Sequence, residues 1–120
     1  TFTPHLAPMF RGILTTIYFD TNNKVSIDKI YKCLNQFYKN KIFVKVLKNN
    51  SLIGTNHVIN TNYCYLSVFR TRNKNKFIIL SAIDNLIKGG AGQAIQNMNI
   101  KFNFTESEGL KWKKLFFWYF

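Results

Sequence analysis

Hydrophobic and polar residues recur at two different periods along this chain, and each change of period marks an element. Ile13–Asp20, just after Gly12, is dense in β-branched and aromatic residues and predicts a strand. Residues 26–38 place Ile27, Ile30, Tyr31, Leu34, Phe37 and Tyr38 at three- and four-residue intervals, one apolar stripe that predicts a helix. Ser26 is positioned to cap it, Asp28 suits the first turn, and Lys39 and Lys41 follow the C-terminal end. Residues 43–47 read as a short strand, 48–54 as a polar loop and 57–59 as a short edge strand. In residues 63–72, Cys64, Leu66 and Val68 fall on one side of a strand and Tyr65, Ser67 and Phe69 on the other. A tight turn at 73–75 then leads into the apolar run Lys76–Ile83, so the two strands predict an antiparallel hairpin. Residues 84–104 begin with glycines and continue as a second helix, with Ala91, Ala94, Ile95, Met98 and Phe102 as its expected buried stripe. The order β–α–β–β–β–α predicts an α+β fold, a mostly antiparallel mixed sheet with helices on one face.

Composition narrows the class. A length of 120 residues suits one domain, and 47% hydrophobic with 17% aromatic residues excludes wholesale disorder. The expected division is a domain over 1–110 and a basic, aromatic tail over 111–120. The longest apolar runs are far below the roughly 18 residues of a membrane span, and no signal peptide is visible, so a cytoplasmic location is expected. The net charge of +12 would by itself suggest nucleic acid or an anionic surface. However, Lys outnumbers Arg fourteen to three and Asn is abundant, a pattern that A/T-rich coding also produces. Nucleic-acid readout leans on the planar arginine fork. No nucleic-acid and no membrane partner is expected, with a stand-alone basic binding module kept as an alternative. Two cysteines, Cys33 and Cys64, do not make a disulfide framework, and with His5 and His57 they lack metal-ligand spacing, so no metal is expected.

Besides the tail over 111–120, whose basic and aromatic residues suit a membrane interface or base stacking and equally a final strand docked on the core, three segments could carry chemistry. In the first, His5 and Arg11 flank a proline-stiffened stretch; His can shuttle a proton and Arg can clamp a carboxylate or phosphate. The same His also reads as an ordinary hydrogen-bonded structural residue. The second, around Cys64, reads better as a buried strand cysteine than as a nucleophile, since nothing nearby lowers its pKa. The third runs from Ser81 to Asn99, an acidic-amide turn followed by Gly89, Gly90 and Gly92. Glycines there allow close approach of a backbone or a flat ligand, and tight helix–sheet packing explains them equally well. Neither the P-loop pattern nor G-x-G-x-x-G is present.

These segments read TPHLAPMFRGIL, TNYCYL and SAIDNLIKGGAGQAIQNMN. In this order they resemble the C-terminal part of the N-acetyl-gamma-glutamyl-phosphate reductases, over residues 1–110. The last is shared in outline with aspartate-semialdehyde dehydrogenases, kept as the second alternative; the first favours the arginine-pathway enzyme. The resemblance implies a domain of the glyceraldehyde-3-phosphate dehydrogenase type. It implies NADP as cofactor, an acyl phosphate as substrate, and a homodimer or homotetramer. The implied reaction forms a cysteine thioester, then reduces it to the semialdehyde. Asn85 would hold the nicotinamide carboxamide, and Gly89, Gly90 and Gly92 would let the last helix pack beside the cofactor, with Lys88 a further cofactor-side residue. Arg11 and His5 would face the substrate. Tyr65, where the family often has an acidic residue, and the aromatic tail depart from the pattern. The family's Rossmann fingerprint, nucleophilic cysteine and proton-shuttling histidine motif lie upstream. The chain is therefore expected to contain no catalytic residue, to need a missing N-terminal nucleotide-binding domain, and to be inactive alone.

Overall fold

Strand β1, Ile13–Asp20, pairs along its whole length with β4, Lys76–Ile83, in antiparallel register from Ile13 opposite Ile83 to Asp20 opposite Lys76. The computed structural model describes residues 1–22 and 25–111. The tail from residue 112 on thus lies outside the described residues. On its other edge β4 pairs antiparallel with β3, Cys64–Arg70, and β3 pairs in parallel with β2, Val44–Val46. The sheet order is β1-β4-β3-β2, a mixed sheet in an α+β arrangement. The expected hairpin is present. Its turn is closed by the Lys76 N–H on the Asn73 carbonyl (3.2 Å) and by the Asn75 N–H on Asn73 Oδ1 (3.1 Å), the local bonding that favours asparagine in turns.

The core divides by the period of two. Val68, Phe77, Ile79 and Phe19 project to one face, where helix α1, Ile27–Phe37, lays Ile27, Ile30 and Leu34 across them. Phe19 and Phe77 stack there with centroids 5.8 Å apart. Tyr65, Leu80 and Ala82 project to the opposite face, covered by Leu47, Ile53 and Val58 from the connection between β2 and β3. The predicted cap is present, the Ser26 hydroxyl accepting the Lys29 N–H at 3.2 Å. Ser26→Ala should lower the unfolding free energy by about 1 kcal/mol, read as a shifted urea midpoint with unchanged slope.

Two expectations are corrected. Residues 57–59 form no strand. Thr55–His57 make a 3-10 turn, the Val58 and Ile59 amides both bonding the Thr55 carbonyl at 3.0 and 3.1 Å. Local bonds satisfy this segment while Val58 drops into the core at 0% exposure.

The second correction concerns helix α2, Gly92–Lys101, which follows a π-helical turn, Ile87–Ala91. Its buried residues are Gly92, Gln96 and Asn99. The apolar residues Ala91, Ala94, Ile95, Met98 and Phe102 face outward. The reason lies in the polar partners. Gln96 binds Asn62, Lys88 and Glu106, and Asn99 Nδ2 donates to the Glu106 and Glu108 carbonyls at 3.3 and 2.9 Å. A buried amide with its hydrogen bonds made is stable inside. The apolar face is left as an exposed patch.

Candidate functional site

The strand register assembles the site. With Ile13 opposite Ile83, the residues just before β1 lie beside those just after β4, so Arg11 and Gly12 meet Asp84 and Asn85 across 73 residues of sequence. Cys64 also lies opposite Ile83 on the other side of β4, which brings the loop before β3 to the same point.

Asp84 is the centre of this junction and is wholly buried. Its Oδ2 accepts from Arg11 Nη2 (2.5 Å) and from the Asn60 amide (2.8 Å). Its Oδ1 accepts from the Leu86 and Ile87 amides (2.9 and 3.1 Å), capping the turn that follows. Asn60 reaches this position in the left-handed region, φ 61°, which asparagine tolerates. The Gly12 N–H donates to Asn85 Oδ1 at 2.8 Å.

Burial opposes the charge on Asp84. Four donors (the Asn60 amide, Arg11, and the Leu86 and Ile87 amides) outweigh it and hold the carboxyl below its usual value of 3.8. The sign of the pH effect follows. The unfolded chain takes up this proton first as pH falls. The stabilisation from Asp84 is therefore complete above about pH 4 and is lost below it, as pH falls through the lowered folded value. Urea midpoints measured from pH 6 down to pH 3 should be level and then fall.

A second polar group sits beside α2. Lys88 Nζ donates to Gln96 Oε1 at 2.8 Å, and the same oxygen accepts from Asn62 Nδ2 at 2.8 Å. Gln96 Nε2 reaches Glu106 Oε1 at 2.7 Å. Desolvation pushes the Lys88 ammonium below its ordinary pKa, with Cys64 and Glu106 opposing that shift. Cys64 Sγ lies 3.5 Å from the Ser81 hydroxyl.

The three glycines of this segment differ. A Cβ on Gly92 would stand 2.5 Å from Asn62 Oδ1 and 2.8 Å from the Ile87 carbonyl, so glycine is required there by the chain's own packing. Gly89 and Gly90 are exposed, and a Cβ on either would meet its nearest neighbour at an ordinary 3.4 Å. The space around these two positions does not demand glycine.

The structure thus brings Arg11, Asn85 and the glycine turn together. Lys88 borders that turn, but its ammonium points inward to Gln96. His5 is apart from them: it is exposed, and its Nδ1 lies 3.2 Å from the Thr3 carbonyl. Asp84 is the residue that sequence reasoning missed as a partner. Its signal was available, an acid directly after an apolar strand and two and three residues before amides needing a cap. Arg11 Nε and Asn62 Oδ1 are buried without a hydrogen-bond partner among the described residues. A groove of about 640 Å³ lined by Lys39, Lys41, Lys45 and Lys111 touches none of the site residues.

Residues 1–85 match the family described as semialdehyde dehydrogenase, dimerisation domain. The chain belongs to this family. The match runs from the first segment through the junction at Asp84 and Asn85. Among curated proteins, the chain is 49% identical over 110 residues, 92% of its length, to an N-acetyl-gamma-glutamyl-phosphate reductase of Clostridium botulinum (strain Eklund 17B / Type B), covering 32% of that protein. It is 46% identical over 109 residues to the protein of the same name from Thermoanaerobacter pseudethanolicus, 91% of this chain and 32% of the relative. The Desulfotalea psychrophila protein of that name is 46% identical over 116 residues, 97% of this chain and 34% of the relative. The chain therefore spans about a third of the length of these relatives. No helix among its described residues is long and apolar enough to cross a membrane.

Proposed function

We propose that this chain serves as the dimerisation and substrate domain of an NADP-dependent reductase. The reaction converts N-acetyl-gamma-glutamyl phosphate to the semialdehyde and phosphate in arginine biosynthesis. The observation that carries this reading is the junction at the end of β4. Segments one and three, far apart in sequence, meet there as Arg11, Asp84 and Asn85. The reductase name borne by the relatives supports the substrate class.

In this reading Arg11 presents the substrate-side cation. Its Nε is a buried donor without a described partner, the feature expected of a group awaiting an anionic acceptor. His5, on the exposed stretch before it, completes the substrate side when that stretch is covered. Asn85 faces the cofactor. Gly12 occupies its Oδ1, which leaves its Nδ2 donors uncommitted among the described residues, as a carboxamide partner requires. Gly89 and Gly90 offer bare backbone with room around it, which fits a flat ring or a second domain lying close. Gly92 and Lys88 support that surface from within. The cofactor supplies the hydride; the cysteine that forms the thioester, displacing phosphate from the acyl carbonyl, belongs to an upstream domain.

The exposed apolar face of α2 suits that upstream nucleotide-binding domain. β1 suits self-association into a homodimer or homotetramer. Among the described residues it is an edge strand with one unpaired side, and Ile13, Leu14, Ile17 and Tyr18 are exposed on it. The proposed setting is the cytoplasm.

The test is turnover of two acyl phosphates by the chain fused behind the upstream two thirds of the Clostridium botulinum relative. NADPH oxidation with N-acetyl-gamma-glutamyl phosphate, and little with aspartyl phosphate, is expected. Preference for aspartyl phosphate would establish the aspartate-semialdehyde dehydrogenase reading instead.

A further inference from the structure

Asp84 is wholly buried, yet its side chain contacts both Arg11 and the turn that leads to Gly89 and Gly90. Its two oxygens face different ways. Oδ2 looks toward Arg11 Nη2 and the Asn60 amide. Oδ1 looks toward the Leu86 and Ile87 amides, the start of the turn that carries Gly89 and Gly90. Asn85, next in sequence, is bound to Gly12, next in sequence to Arg11. One carboxylate therefore stands between the substrate-side arginine and the cofactor-side turn.

We infer that Asp84 is a positioning residue that sets both sides of the site from one buried group, Oδ2 orienting the Arg11 guanidinium and Oδ1 holding the turn beside Asn85. The inference rests on the reductase reading above and adds to it a residue that acts through others. A buried carboxylate oxygen that anchors Nη2 narrows the directions open to the remaining donors of Arg11, Nε included. A turn whose first amides are both capped keeps the path of the glycines fixed.

The division between the oxygens gives two variants with opposite signatures. Asp84→Asn keeps an oxygen for the Leu86 and Ile87 amides but turns an NH2 group toward two donors, Arg11 and the Asn60 amide. The turn survives and the arginine is released. Asp84→Glu keeps the charge that pairs with Arg11, but the added methylene carries the carboxylate away from the two capped amides. The arginine stays paired and the turn loosens.

Both variants are made in the fusion with the upstream two thirds of the Clostridium botulinum relative, and KM is measured separately for N-acetyl-gamma-glutamyl phosphate and NADPH. Asp84→Asn should raise the KM for the acyl phosphate by about tenfold or more and leave that for NADPH within about twofold. Asp84→Glu should do the reverse. Amide exchange at Leu86 and Ile87 should speed up in Asp84→Glu and remain slow in Asp84→Asn. Should Asp84→Asn fail to fold, the Asp84→Glu split decides alone. Equal rises of both KM values in either folded variant, or none, would overturn the inference and leave Asp84 a structural residue. Absence of turnover by the unsubstituted fusion with either acyl phosphate would instead overturn the reductase reading on which it rests.

Discussion

Gly12→Ala is expected to destabilise the chain by about 3 kcal/mol, through two independent costs that act at one atom. Gly12 holds φ at +116°, a region that side-chain-bearing residues rarely adopt. A Cβ there would also stand 2.4 Å from Thr55 Cβ and 2.5 Å from its Cγ2, distances that force the backbone apart. Each cost is of order 1–3 kcal/mol alone. They can be separated. Adding Thr55→Gly removes the contact and not the backbone conformation, so the double variant should recover only part of the loss in urea unfolding. The effect should reach the site as well. Gly12 N–H is bonded to Asn85 Oδ1, so a displaced residue 12 releases the amide proposed to face the nicotinamide.

Arg11→Ala is the second large effect, about 3 kcal/mol. The Asp84 side chain is at 0% exposure and that of Arg11 at 16%, so the pair is sheltered from solvent screening. Removing the cation leaves a buried carboxylate with three backbone donors and no opposite charge. The general cost of breaking such a pair is about 3–5 kcal/mol, and the three amides keep this one at the lower end. A second signature accompanies the loss. Without Arg11 the carboxyl is no longer held as far below its ordinary value, so the acid fall in stability, whose onset the unfolded chain sets, should be smaller and end at a higher pH than in the unsubstituted chain. Urea midpoints across pH 3–6 for both proteins read the two effects together. Arg11→Lys, which keeps a charge but not the fork, should fall between them.

Most of the sheet and α1 were legible because pattern and burial agree there. The stripe Ile27, Ile30 and Leu34 recurs at helical spacing and packs against Phe77 and Val68, as an apolar stripe should. The two sides of β3 separate as alternation requires, Val68 toward α1 and Tyr65 toward Ile53 and Val58. α2 was illegible for a physical reason. Periodicity reveals which side of a helix is apolar, and only tertiary partners decide which side is buried. Here Asn62, Lys88 and Glu106 supply those partners to Gln96, so the polar side is inside.

The site was legible in part for a related reason. Motif resemblance pointed to Arg11, Asn85 and the glycines together. It gave Gly89, Gly90 and Gly92 one explanation, whereas only Gly92 is crowded by its own chain. It also passed over Asp84, whose place just after β4 marked it as a cap for the amides that follow, but whose bond to Arg11 shows only once β1 is registered on β4. The short run at 57–59 misled through its Val and Ile, whose β preference yields to the local amide bonds on the Thr55 carbonyl.

The most direct test of the account is reconstitution. The upstream two thirds of the Clostridium botulinum relative is expressed without its own final third, and NADPH oxidation with N-acetyl-gamma-glutamyl phosphate is followed with this chain absent, added in trans, or fused behind it. Negligible turnover in the first case, and turnover in the fusion that Arg11→Ala abolishes, is the predicted result. Equal turnover with and without the chain, or a fusion that folds, binds NADPH and yields no semialdehyde, would contradict it.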